Sequence, residues 1–174
     1  MMTWLFWAFS IVVLAFGFVV FWGAPYVPSK KKDLARALDE LYPVGAGDVL
    51  VDIGSGDGLV LRAAARRGAK AIGYELNPLL VMISRLLSRN MPGIATYVAN
   101  FWHIRLPHDT TVIYVFAVSR DIGRLTQKIT EEATRLGRPL PLISYGCEVP
   151  GHTPLKTLGA HSLYEFTPLQ ASKA

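Results

Sequence analysis

The chain has 174 residues, of which 51% are hydrophobic and only 18% charged, whereas an ordinary soluble domain carries about a quarter charged residues. The apolar excess sits in the first 22 residues, and the remaining stretch of about 150 residues suits one domain with its own core, not two. The net charge of +5 belongs to that remainder, because residues 1–28 carry no charged side chain; its basic residues are interleaved with acids, which argues against nucleic acid as a partner.

From Trp4 to Trp22 the sequence reads WLFWAFSIVVLAFGFVVFW. At about 1.5 Å per residue a helix of this length spans about 28 Å, close to the ~30 Å apolar core of a bilayer. Trp4, Trp7 and Trp22 stand near its ends, where indole rings favour the interface. A cleaved signal peptide would need a positive leading region and a shorter apolar run. The expectation is a single-pass anchor over 1–23 and a Pro/Lys linker over 24–32, stiffened by Pro25 and Pro28. Lys30, Lys31 and Lys32 follow the run and no Lys or Arg precedes it, which places the domain on the cytoplasmic side.

The domain is expected over 33–174. Residues 31–42 carry Leu34, Ala35, Leu38 and Leu41 at helical spacing and stop at Pro43. A buried strand is expected at Asp48–Ile53, a helix at Leu59–Arg67, a second strand at Ala71–Tyr74 and a second helix at Pro78–Arg89. That helix carries an apolar stripe, Leu79, Met82, Ile83 and Leu86, read as core, with Arg85 and Arg89 on a solvated face. Strands follow at Ala95–Ala99 and Thr111–Val118, then a polar helix from Arg120 to about Leu136 and a fifth strand at Leu140–Cys147. Two short strands close the chain at Leu155–Leu158 and Ser162–Thr167. Cys147, the lone cysteine, excludes an internal disulfide and reads as a buried strand residue. Alternating strands and helices predict an α/β fold with a mainly parallel sheet, whose ligands bind at the strand C-terminal ends.

The stretch Val51-Asp52-Ile53-Gly54-Ser55-Gly56-Asp57-Gly58 takes a strand into a glycine turn and straight on into a helix. Glycines let the backbone turn tightly and let a ligand approach. The spacing is GxGxG, not the GxGxxG of dinucleotide sites, and Asp52 and Asp57 flank the loop. A pyrophosphate there would meet like-charge repulsion of a few kcal/mol at ~4 Å with an effective dielectric constant of ~20. The ammonium and sulfonium of S-adenosylmethionine would instead be favoured. Glu75, at the end of the second strand, can accept ribose hydroxyls. Asn100-Phe101-Trp102, after the third strand, falls beside the expected adenine position.

Together PYVPS at 25–29, VDIGSGDG at 51–58, GYELNP at 73–78 and FW at 101–102 resemble the membrane-associated protein-lysine methyltransferases. That family includes the enzymes that modify the ATP synthase c subunit and the adenine nucleotide translocase. The resemblance covers about residues 24–167. It implies a Rossmann-like class I methyltransferase fold, S-adenosyl-L-methionine as cofactor, and lysine side chains of membrane proteins as acceptors. Carried onto this chain, Asp52, Gly54, Ser55, Gly56, Asp57 and Gly58 would cradle the methionine part. Glu75 would hold the ribose, Asn77 is a further cofactor-binding candidate, Asn100 and Phe101 would border the adenine, and Tyr26–Pro28 would cover the cofactor. Asn100 stands where the family carries Asp, and Val118-Ser119-Arg120 replaces a Val-Pro-Gln-like stretch on the acceptor side.

The reaction this implies is displacement of methyl from sulfonium by a neutral amine, driven mainly by alignment of the reactants. A free lysine has a pKa near ~10.4, so it must lose a proton first. Glu148, Tyr114, Ser119 and the histidines are all conceivable acceptors, and none is assigned. His103, His108, His152 and His161 show no metal-ligand spacing and read as loop or surface residues; no metal is expected. Methylation of a small or lipid-soluble molecule, and cofactor binding without catalysis, stay open as alternatives.

Overall fold

The computed structural model describes residues 3–7, 10, 31–116 and 121–169. Most of the apolar run at 4–22 lies outside the described residues, as do the linker through Lys30, including Pro28, and the stretch Val118-Ser119-Arg120. Among the described residues no helix is long and apolar enough to cross a membrane.

The strands are β1 (Val49–Ile53), β2 (Lys70–Glu75), β3 (Ile94–Val98), β4 (Val112–Phe116), β5 (Leu140–Tyr145), β6 (Lys156–Leu158) and β7 (His161–Phe166). They form one sheet in the order β3-β2-β1-β4-β5-β7-β6. The first five pair in parallel, while β7 runs antiparallel to β5 and β6. VLVDI of β1 and VIYVF of β4 are nearly continuous apolar runs, as strands covered on both faces must be. The chain moves outward from β1 on one side and from β4 on the other. That division opens a crevice at the C-terminal ends of β1 and β4.

Helices cover both faces. On one side α1 (Lys31–Arg36), its π-helical continuation Ala37–Leu41 and α2 (Leu59–Ala65) press Leu34, Leu38, Leu41, Leu61 and Ala64 onto Leu50, Val112 and Ile143. On the other, α4 (Ile122–Leu136) packs Ile122, Leu125, Ile129 and Ala133 against Val51, Ile113 and Leu142. Arg67 fastens α1 to the end of α2, pairing with Asp39 at 2.7 Å and donating to the Ala35 carbonyl at 3.1 Å.

Several boundaries differ from the sequence reading. The helix over 31–42 widens into a π turn, with Tyr42 N–H donating to Ala37 O at 3.3 Å and the Tyr42 hydroxyl to Asp48 at 3.0 Å. The fifth strand stops at Tyr145, because Gly146 turns the backbone with φ of 81°. Cys147 is therefore a half-buried loop residue and not a strand residue.

The larger correction concerns α3 (Pro78–Leu87), where the stripe read as core is covered only in part: Leu79 and Ile83 are half-buried, whereas Met82 and Leu86 are each 59% exposed. Its inner face is Val81, Ser84 and the following Ser88, all buried. The physical reason is proximity. A Cβ on Gly58 would lie 2.2 Å from Ser84 Oγ, so only a small side chain fits beneath this helix. Arg85 is exposed as expected, yet its Nε and Nη2 donate to the Thr96 carbonyl at 3.1 and 2.7 Å, tying α3 to the edge strand β3.

The opposite layer holds a buried acid, Glu132. Its carboxylate accepts the Leu106 N–H at 2.9 Å and pairs with Arg135 and Lys128. Burial pushes this carboxyl up, but the hydrogen bonds from Arg135 and Leu106 and the neighbouring cations outweigh it and hold the group below its ordinary value. A lowered folded pKa gives stability that is present above the unfolded value of ~4.3 and lost as pH falls through the folded one. Glu132→Gln is expected to reduce unfolding free energy by about 2–4 kcal/mol at neutral pH. In urea titrations the gap from the parent chain should shrink toward pH ~3.

Candidate functional site

Strand β1 delivers Asp52 and Ile53 to the C-terminal edge of the sheet, where Gly54, Gly56 and Gly58 all take positive φ (75°, 53° and 79°). The loop is pinned from below. Gly54 N–H and Ser55 N–H both donate to the Tyr74 carbonyl, at 2.9 and 3.3 Å, and Gly58 N–H donates to Ser55 O at 2.8 Å. Above Gly54 there is open space, since an added Cβ would meet nothing within 4 Å. Gly58 has the opposite role, admitting α3 by its lack of a side chain.

Glu75 ties this loop to the end of β2. One carboxylate oxygen accepts Gly56 N–H at 3.0 Å and the other accepts Asn77 N–H at 2.8 Å. Asp57 accepts Leu59 N–H at 3.0 Å and is paired with Arg62 at 3.3 Å. Asp52 is 3% exposed. Burial, then the charges of Glu75 and Asp57, push its carboxyl well above the usual range. Three carboxylates thus converge on one glycine loop. Only Asp57 among them forms an ion pair with a cation of the described residues. Among the described residues, no group of His, Cys, Asp and Glu has the geometry to hold a metal ion.

The structure adds Gly73, which the sequence reading passed over. It lies beside Asp52 in the β1–β2 register, and a Cβ there would come within 2.5 Å of Ser55 Oγ and 2.7 Å of Leu61 Cδ1. A glycine inside a strand marks such close approach, and that was the available signal.

Other expected site residues turn out to be occupied. Asn77 is buried and accepts Leu79 N–H at 3.0 Å, capping α3. Asn100 accepts Trp102 N–H at 3.1 Å and caps a 3-10 turn over Phe101–His103. Phe101 is buried in the core under α4, so its ring packs inward. Trp102 is half-buried, with the Arg124 guanidinium 4.4 Å from its ring centroid. Beside them, Tyr74 and Tyr97 stack with centroids 5.9 Å apart. Pro28 lies outside the described residues, as does Ser119.

His161 corrects the surface assignment, for it is fully buried at the start of β7 and its Nε2 lies 3.0 Å from the Tyr114 hydroxyl. Burial holds its pKa below the ordinary value despite the nearby charge of Asp33. Tyr114, 2% exposed, is engaged in that contact, whereas Glu148 is exposed beyond β5. His103, His108 and His152 are exposed.

Asp52 yields a linkage prediction. A carboxyl whose folded pKa is raised stabilises the fold below its unfolded value of ~3.9, and that contribution is lost as pH rises through the folded value. Asp52→Asn should therefore raise the melting temperature of the ligand-free chain at neutral pH, and the gain should vanish near pH ~4. Thermal melts at both pH values check this; an equal gain at both would refute it.

Comparison with known proteins accords with this geometry. The ANTKMT methyltransferase domain matches residues 52–156. The human lysine N-methyltransferase of the ATP synthase c subunit is 35% identical over 111 residues, covering 62% of this chain and 46% of the relative. The chain thus spans about half the length of that protein. A protein-lysine N-methyltransferase of Saccharolobus islandicus is 27% identical over 139 residues, covering 77% of this chain and 83% of its own. Among solved structures, an RNA methyltransferase of Salinibacter ruber in complex with S-adenosyl-L-homocysteine superposes with a TM-score of 0.70 and 25% identity, covering 85% of this chain and 98% of that one. Fold, glycine loop and sequence agree: this α/β chain has the class I methyltransferase fold and belongs to the ANTKMT methyltransferase domain family.

Proposed function

We propose that the chain is an S-adenosylmethionine-dependent protein-lysine N-methyltransferase acting on a membrane-associated protein. The observation that carries this reading is the convergence of Asp52, Asp57 and Glu75 on one glycine loop beside the β1–β4 crevice. Such a cradle repels phosphates and favours a cationic ligand. The names of the human and Saccharolobus relatives supply the acceptor class.

The donor set fits the cofactor. Each Glu75 oxygen accepts one backbone N–H, which leaves lone pairs for ribose hydroxyls. The open side of Gly54 and the acids at 52 and 57 would hold the amino-acid end, and Trp102 borders the adenine side more openly than Phe101 does. When bound, the cofactor supplies an electrophilic methyl group. The chain's own part is to orient the acceptor amine, exclude water and take up its proton. The acceptor lysine must reach the crevice uncharged, so the rate should climb as pH rises toward the amine's pKa of ~10.4.

The apolar run at 4–22 serves, in this reading, as a single-pass anchor with the linker at 24–32, the domain at 33–174 and that domain facing the cytoplasm. Its support is the uncharged length, the flanking Trp residues and the Lys30–Lys32 cluster.

The test is transfer of radiolabelled methyl from the cofactor to parent membranes. Label should appear in a protein band and yield methyl-lysine on hydrolysis. Label extractable into organic solvent would point to a small acceptor, and no label to binding alone. Glu75→Ala removes a carboxylate that serves both loop and ribose, so calorimetry should show cofactor affinity falling on the order of 10- to 100-fold. Firm NAD binding with no uptake of S-adenosylmethionine would overturn the assignment.

A further inference from the structure

Helix α3 is amphipathic in the wrong sense for a buried crossover helix. Its inner face combines the buried Val81 with small polar residues, Ser84 Oγ lying 3.0 Å from Thr96 Oγ1 and Asn77 standing at the cap. Its outer face carries Met82, Leu86 and Leu87, each more than half exposed, and Leu76 at the helix entry is 50% exposed. Val98, 53% exposed, shares a sheet face with Thr96 and so borders the same helix. Exposed apolar residues scattered singly are ordinary, but a set gathered on one helix and its flanks marks a contact surface.

Charge identifies the partner. Between Glu75 and Asp109 the sequence contains no Asp or Glu, and its charged residues are Arg85, Arg89 and Arg105. Arg85 and Arg89 are exposed on α3 and just beyond it. An apolar centre whose charged rim on α3 itself consists of Arg85 and Arg89 complements an anionic lipid surface, where acyl chains lie beneath negative headgroups. A two-fold contact between copies of this chain would instead set that cationic rim against itself.

Placement agrees. Thr96 has the same strand parity as Ile94, which packs with α1 and α2, so α1, α2 and α3 share one face of the sheet. Asp33 in the first turn of α1 acts on His161, which lies at the C-terminal end of β5, while Asp39 pairs with Arg67 after α2. The start of α1, which opens on Lys31 and Lys32, and the start of α3 therefore lie at the same end of that layer. On the anchor reading, the apolar run at 4–22 joins the domain at this end of the layer, the end at which α3 also begins.

We infer that the outer face of α3, with Met82, Leu86 and Leu87 at its centre and Arg85 and Arg89 at its rim, docks on anionic phospholipid. The inference does not depend on methyl transfer. It draws on the proposed anchor only for proximity, and the experiment separates the two.

The experiment uses the full chain with Cys147→Ser and one nitroxide-labelled cysteine, Met82→Cys or Leu86→Cys, on phosphatidylcholine vesicles with and without phosphatidylserine. Collision with oxygen should rise and collision with an aqueous nickel chelate should fall several-fold at both positions when phosphatidylserine is present. A label at Gln127→Cys on α4 should stay accessible to nickel. Adding Arg89→Gln to the labelled chain should weaken the phosphatidylserine dependence. Unchanged nickel access at 82 and 86, or no association with the vesicles, overturns the inference. Shielding that exists without lipid and comes with spin–spin broadening also overturns it, in favour of a second copy. A label at Val13→Cys reports the apolar run alone. Lipid depth at 13 with water access at 82 refutes the α3 face and keeps the anchor, and the reverse result keeps the face and refutes the anchor.

Discussion

The architecture is organised around a repulsion. Asp52 is buried at the end of β1, and that burial, reinforced by the charges of Glu75 and Asp57, disfavours its ionisation. Nothing about folding alone asks for such a cluster, because each buried carboxylate lowers stability unless something compensates it. Arg62 relieves Asp57 and backbone N–H groups relieve Glu75. The residual strain is electrostatic and concentrated on one atom group. A cationic ligand beside it would favour the ionised form of the acid.

The rest of the molecule holds that cluster in place. The parallel sheet divides between β1 and β4, so the glycine loop sits at the mouth of a crevice. Tyr74 O anchors the loop from the β2 side, and Gly73 makes room for Ser55 and Leu61 next to it. The same two strands therefore supply the acids and the scaffold that keeps them together.

Much of this was legible in the sequence. Strands such as VLVDI and VIYVF are apolar at nearly every position because both faces are covered, and Gly54 marks the end of the first. Glu75 could be found because its chemistry and its distance from the loop both mattered. What escaped has physical causes. Periodicity reveals that α3 has an apolar stripe, but not which neighbour the stripe faces; that depended on how near Gly58 comes to Ser84. Asn77 and Asn100 carry an amide oxygen suited to a ligand, and the same atom caps the backbone two residues on. His161 finds its partner Tyr114 across a gap of 47 residues, which no local pattern encodes.

The contact between Gly58 and Ser84 has a consequence for how such a sequence can drift. With 2.2 Å between a hypothetical Cβ and the serine oxygen, positions 58 and 84 occupy one shared volume. Enlarging either demands retreat of the helix, which would drag the Thr96 and Arg85 attachments of β3 with it. The two sites form a single unit of variation, tolerating change only toward smallness, while the outward positions 82, 86 and 87 answer to whatever lies beyond the protein.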